Sequence, residues 1–221
     1  MDVLDVLLDH VHRDVPELEL ATLTFRYVAS PSSVSAASIE GATKNLNHAQ
    51  ADVRQAATTA RAQATTISNT LDHPDQTPAL PSELQDFSRS TDRLTTMRER
   101  LRQAITDYQA AYHARLAEFD KERAAINNPS TQRSMSILRR HTEDDMTERV
   151  NNATSTLDQL DTVLAQGADL QHAAQCVIIA NDLHQHGEDL DNQLRDAKTQ
   201  ATAYAATTTS LLARINQALT D

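Results

Sequence analysis

Apolar residues in this chain recur in steps of three and four, the spacing that gathers side chains on one face of an α-helix rather than on one side of a strand. Over residues 34–72 the stripe is Ile39, Ala42, Leu46, Ala49, Val53, Ala56, Ala60 and Ile67, a narrow face rich in alanine. From residue 82 the stripe is bulkier, with Leu84, Phe87, Leu94, Leu101, Ile105, Tyr108, Tyr112, Leu116 and Phe119. A thin face and a bulky face joined by a short connection predict two helices packed antiparallel. Ser82-Glu83-Leu84-Gln85 reads as a capping box at the start of the second. Residues 2–29 also read as helical, with a break or kink near Pro16.

Proline sets the boundaries, because it removes a helix donor and clashes with the preceding turn. Pro31, the cluster Pro74, Pro78 and Pro81, and Pro129 after Asn127-Asn128 divide the chain. Beyond Pro129 there is no further proline. Met146, Val150, Ala153, Leu157, Leu160 and Leu164 keep one rhythm there, and Leu190, Leu194, Ala197, Ala201, Tyr204, Thr208, Leu211 and Ile215 keep another. Between them Leu164, Ala168, His172 and Cys176 step by four, which reads as a stutter beside Gly167. The fold class expected is all-α: an N-terminal antiparallel three-helix bundle over residues 1–127, a linker at 128–132, and a long heptad-patterned coiled-coil helix over 133–221. Its seam mixes alanine and threonine among the leucines, so it is expected to need a partner.

Composition narrows the classes. Aromatics supply 3% of the chain, and with three glycines, six prolines and no tryptophan there is little from which to build sandwiches, barrels or Gly-rich nucleotide folds. A net charge of -11 repels phosphate backbones and anionic lipid head groups, so no nucleic acid partner is expected. The single cysteine excludes an internal disulfide and weakly favours a reducing compartment. The longest strictly apolar run, Cys176 to Ala180, falls far short of the roughly 20 residues of a bilayer-spanning helix. The acidic start Met1-Asp2-Val3-Leu4-Asp5 is unlike a secretory signal, and a cytoplasmic location is expected.

The candidate chemistry is sparse. His10 with His12, and His184 with His186, stand two apart, which on a helix turns the rings about 200° from each other and prevents a shared grip on one ion. Glu143-Asp144-Asp145 diverge in the same way and read as a solvated face. Cys176, within Cys176-Val177-Ile178-Ile179-Ala180, reads as a small packed hydrophobe, and Tyr108 and Tyr112 as core. No phosphate-binding loop, nucleophile elbow or zinc spacing occurs, so no catalytic residue, metal or cofactor is expected. One position interrupts the apolar seam: His186, three after Leu183 and four before Leu190, stands where a core layer belongs.

Leu183-His184-Gln185-His186-Gly187-Glu188-Asp189-Leu190 resembles the centre of a SNARE motif, written Leu-x-x-Gln-Gly-Glu-x-Leu in glutamine-type members, with His186 in place of the central glutamine. Leu138-Arg139-Arg140-His141-Thr142-Glu143 followed by Asn151-Asn152-Ala153-Thr154-Ser155-Thr156-Leu157 is similar to the opening of the motif in Qb-type SNAREs, most like the subfamily serving Golgi-to-ER retrograde transport. The resemblance covers about residues 130–221. The layers would be Leu164, Cys176, Ile179, Leu183, His186, Leu190, Leu194, Ala197, Ala201, Tyr204, Leu211 and Ile215; family spacing would instead place Gln193, Gln200 and Arg214 in the core. No membrane anchor follows the motif in this sequence. The resemblance implies one helix of a parallel four-helix fusion bundle, with other SNARE proteins as partners and tethering or regulatory factors on the N-terminal bundle. It also implies the cytosolic face of ER or Golgi membranes, reached only through partners or an absent anchor. The alternative is a coiled-coil scaffold or tethering-complex subunit with no fusion role.

Overall fold

The computed structural model describes residues 32–182 and 188–220. All of its regular structure is helical: α1 (Ser32–Leu71), a 3-10 segment (Pro74–Ala79), α2 (Leu80–Ala124), α3 (Pro129–Asp182) and α4 (Glu188–Thr220). The helix expected over residues 2–29 lies outside the described residues.

The four helices form a ring in which α1 packs on α2 and α4, and α3 packs on α2 and α4. Each neighbour runs antiparallel. Arg54 Nη1 on α1 donates to Asn216 Oδ1 on α4 at 3.3 Å, while Asp72, just past α1, pairs with Lys198, so one number rises as the other falls. Between α2 and α3, Gln171 Nε2 donates to Thr91 Oγ1 at 3.0 Å and Arg139 pairs with Asp120 at 2.9 Å. The antiparallel pairing of α1 with α2 agrees with the reading from their stripes, and Thr70 Oγ1 donates to Glu83 Oε1 at 2.9 Å across it.

Small residues on α1 face large ones on α2. Ala56, Ala57, Ala60 and Ala64 are all but fully buried, in one core with Phe87, Leu94, Leu101 and Tyr108. Alternation of small and large side chains lets two helices approach closely without leaving voids. The alanine-rich face is thus half of a complementary surface.

Three local expectations are corrected. The described chain beyond Pro129 is two helices, α3 and α4, rather than one long coiled-coil helix, with α3 packed on α2 and α4 packed on α1 in a single core. A thin seam that cannot bury itself alone is covered by folding back on its own chain. Second, α3 carries no stutter. Its buried positions Ala153, Thr156, Leu160, Val163, Gly167, Leu170, Ala174 and Val177 alternate steps of three and four without interruption. Third, α2 begins at Leu80 with Ala79 as its unbonded cap, not at a Ser82 capping box. The preceding 3-10 segment supplies what a capping side chain would: the Leu80 amide donates to the Thr77 carbonyl, and Glu83 is left to accept from Thr70.

Candidate interaction surfaces

Burial sorts the twelve seam residues into groups. On α4, Ala197, Ala201, Tyr204, Leu211 and Ile215 are buried, and Leu190 and Leu194 are partly so. Thr208 belongs with them, its hydroxyl donating to the Tyr204 carbonyl at 2.7 Å. A buried threonine is tolerated there because its polar atom is satisfied within its own helix. On α3, Leu164 packs partly against the core. Cys176 and Ile179 point to solvent, Ile179 with 49% of its surface exposed, because Ala174 and Val177 occupy the inward positions. This corrects the reading of Cys176 as a packed hydrophobe. Leu183 and His186 lie outside the described residues, as do His10, His12 and His184.

Gly167 is a core position that sequence reasoning missed. A Cβ built on it would stand 3.2 Å from Thr91 Cγ2, 3.2 Å from Tyr204 Cε2 and 3.8 Å from Phe87 Cζ. The rings of Phe87 and Tyr204 meet edge to face beside it, with centroids 5.0 Å apart and planes at 80°. A glycine that looks like a helix weakness is the recess that admits a large aromatic from α4. The signal was the unbroken three-four rhythm from Leu160 to Val177, in which Gly167 takes a seam position.

Among the described residues the buried hydroxyl of Tyr204 meets no partner at hydrogen-bonding geometry, and that of Tyr108 has only the neighbouring Tyr112 hydroxyl to turn to. Burial pushes the Tyr204 phenol up to about 12 and the Tyr108 phenol further. Tyr108 leans on Tyr112, ring centroids 4.7 Å apart, so the expectation that these two are core holds for Tyr108 and in part for Tyr112.

The outer surface offers shallow polar ground. One open depression lies along α1 at Ala51, Asp52, Arg54, Gln55, Thr58 and Thr59, and another between α3 and α4 at Asn152, Gln159, Arg214 and Gln217. Glu143 is tied to Arg139 at 2.6 Å, and Asp144 and Asp145 are exposed. Among the described residues no group of three or more His, Cys, Asp or Glu could hold a metal ion. No described helix is long and apolar enough to cross a membrane. What the arrangement provides is a long helical surface of polar and charged side chains.

Comparison with family models, with characterised proteins and with solved structures gave no match.

Proposed function

We propose that this chain acts by binding rather than by catalysis, as a self-contained helical rod in a scaffold or tethering assembly. The observation that supports this reading is the burial of Ala197, Ala201, Tyr204, Leu211 and Ile215 against the chain's own helices. A seam already covered in this way has no need of a foreign helix to become ordered. The 54 residues of α3 span roughly 81 Å at 1.5 Å per residue, a length suited to holding two partners apart. Hydrogen exchange on the complete chain tests it. Slow exchange through 160–177 and 194–215 is expected, unchanged when the other three SNARE helix types are added. Fast exchange in the free chain that slows on mixing would overturn it.

A second reading, a SNARE-type fusion protein, is favoured by one placement. The Leu183 to Leu190 segment that resembles the SNARE centre spans the connection between α3 and α4, and Cys176 and Ile179 just before it face solvent. In that reading the antiparallel bundle is a closed form, from which residues 164–215 peel away and straighten into one helix of a parallel complex. Other SNARE proteins would be the partners, tethering or regulatory factors would meet α1 and α2, and the site of action would be the cytosolic face of ER or Golgi membranes. The same exchange experiment separates the two.

A further inference from the structure

The net charge of -11 hides a local reversal. At the tip, the end of the bundle where α2 turns into α3, residues 120–142 carry five basic side chains against two acidic ones. At the opposite end Asp182 closes α3, Glu188-Asp189-Leu190-Asp191 opens α4, and Asp72 and Glu83 flank the turn from α1 to α2. Residues 150–194 hold seven carboxylates and no Lys or Arg. Roughly 81 Å of helix separates the two ends, several screening lengths at physiological salt, so each presents its own sign to its surroundings.

These charges are only partly answered within the molecule. At the tip Asp120 pairs with Arg123 and Arg139, and Glu143 with Arg139, while exposed Arg133 and Arg140 have no carboxylate partner among the described residues. At the far end Lys198 answers Asp72, and exposed Asp191 and Asp196 have no cationic partner among the described residues. A helix N-terminus favours carboxylates, so α3 itself gives no reason for arginines near its start, where the first turn holds no acid. Arg133, Ile137 and Arg140 follow at steps of four and three on one outward face, and Ile137 keeps 50% of its surface exposed. Ile179, exposed to the same degree, lies just before the end of α3 at Asp182. Among the described residues these are the exposed large hydrophobics, one at each end beside charge of opposite sign.

We infer that the tip docks on the far end of a second copy of this chain, so that rods join head to tail. Arg133 and Arg140 meet Asp191 and Asp196 of the next copy, and Ile137 packs beside its Ile179. Because the two surfaces differ, the contact is heterologous and leaves a tip and an acidic end open to further copies. Exposed ion pairs steer more than they hold, and the overlap of two rod ends is small, so the association is weak and salt-sensitive. It extends the reading of the chain as a scaffold; hydrogen exchange in the free chain decides that reading and self-association decides this one, so either can fail alone.

The test is sedimentation of the full chain under reducing conditions, from about 10 µM to about 0.5 mM, in about 0.02 M and about 0.5 M salt. A mean mass that rises with concentration at low salt and returns to the monomer at high salt is expected. A tip variant, Arg133→Glu with Arg140→Glu, and an end variant, Asp191→Arg with Asp196→Arg, should each stay monomeric. Their mixture should form a one-to-one dimer and nothing longer, joined by the intact tip of one and the intact end of the other. A monomeric parent at low salt overturns the inference, as does either variant alone associating like the parent, or a mixture that stays monomeric. Retention of a monomeric parent by phosphatidylserine vesicles, lost in the tip variant, would assign the tip to a membrane surface and overturn it as well.

Discussion

The two ends of the bundle are built from the same rhythm but are surrounded by different numbers of described helices. Where all four helices run together, Val53, Ala60, Ile67, Leu94, Leu160, Leu170, Tyr204 and Leu211 are fully buried. Toward the tip, beyond the end of α4 at Thr220, Tyr108 is still fully buried, Ala42, Leu116 and Met146 are as nearly buried as Met97 and Ala173 at the four-helix end, and Tyr112 and Val150 are partly covered. The seam is equally regular at both ends, and its largest fully buried side chains, Tyr108 and Tyr204, lie one with three described helices around it and one with four. A heptad stripe specifies which face turns inward.

The largest effect that sharpens this contrast is Tyr204→Ala. It removes a fully buried ring at the four-helix end and leaves a cavity beside Phe87 and Gly167, so about 3–5 kcal/mol of unfolding free energy should be lost. Tyr112→Ala at the tip should cost clearly less, since that ring is already partly in water. Equal urea midpoints for the two variants would erase the distinction between the ends.

Alkaline titration probes the same layer. The Tyr204 phenol must be neutral to stay buried, and its folded pKa of about 12 lies above the ordinary value of 10.0. Its contribution is therefore fully present below pH 10 and is lost as pH rises through 12, a difference of roughly 2–3 kcal/mol. Tyr204→Phe should unfold at higher pH than the parent, with Tyr108 left as the remaining alkaline trigger. At neutral pH the same substitution should be neutral or stabilising by up to about 1 kcal/mol, because the hydroxyl it removes has no partner. An unchanged alkaline midpoint would place the Tyr204 hydroxyl in solvent.

Gly167→Leu comes next. The new side chain would have to displace Thr91 and Tyr204, and overpacking of this kind costs about 1–3 kcal/mol. Gly167→Ala sets two effects against each other: helix propensity improves by about 1 kcal/mol, while contacts at 3.2 Å force the neighbours to shift. Thermal melts in which leucine is as well tolerated as alanine would mean that α3 does not approach α4 through this glycine.

Much of this fold was legible in the sequence. The prolines gave the boundaries near 73–81 and 127–129, and the α1, α2 and α4 stripes match the buried residues. What misled was the meaning of small residues. Reading a stutter beside Gly167 carried the α3 rhythm through Ala168 and His172 to Cys176, when the inward path runs through Leu170, Ala174 and Val177. In Val177-Ile178-Ile179-Ala180 every residue is apolar, so periodicity alone cannot choose the face there. The decision belongs to Tyr204, 37 positions away in sequence, which needs the space at Gly167. The fold-back of α4 was hidden for a related reason: a thin seam announces that it needs cover, but its own chain and a foreign helix satisfy it equally.

The smallest expected effect tests whether the apolar seam, rather than surface charge, fixes how α4 lies on α1. Lys198 pairs with Asp72, but their side chains remain 51% and 41% exposed. An ion pair in that setting gains little Coulomb energy against water and loses side-chain entropy, so Lys198→Ala should cost no more than about 0.5 kcal/mol. Added salt, which shortens the screening length to roughly 3 Å at 1 M, should move the parent's urea midpoint by a similarly small amount. The buried partners of α4 lie within the same two turns as Lys198, with Ala197 and Ala201 flanking it on the inward face. If the charge pair set the register, Lys198→Ala would loosen those layers and accelerate exchange from 194 to 204. Exchange there that stays as slow as in the parent leaves the seam in control; a loss above about 1 kcal/mol would give the ion pair a share in aligning the helices.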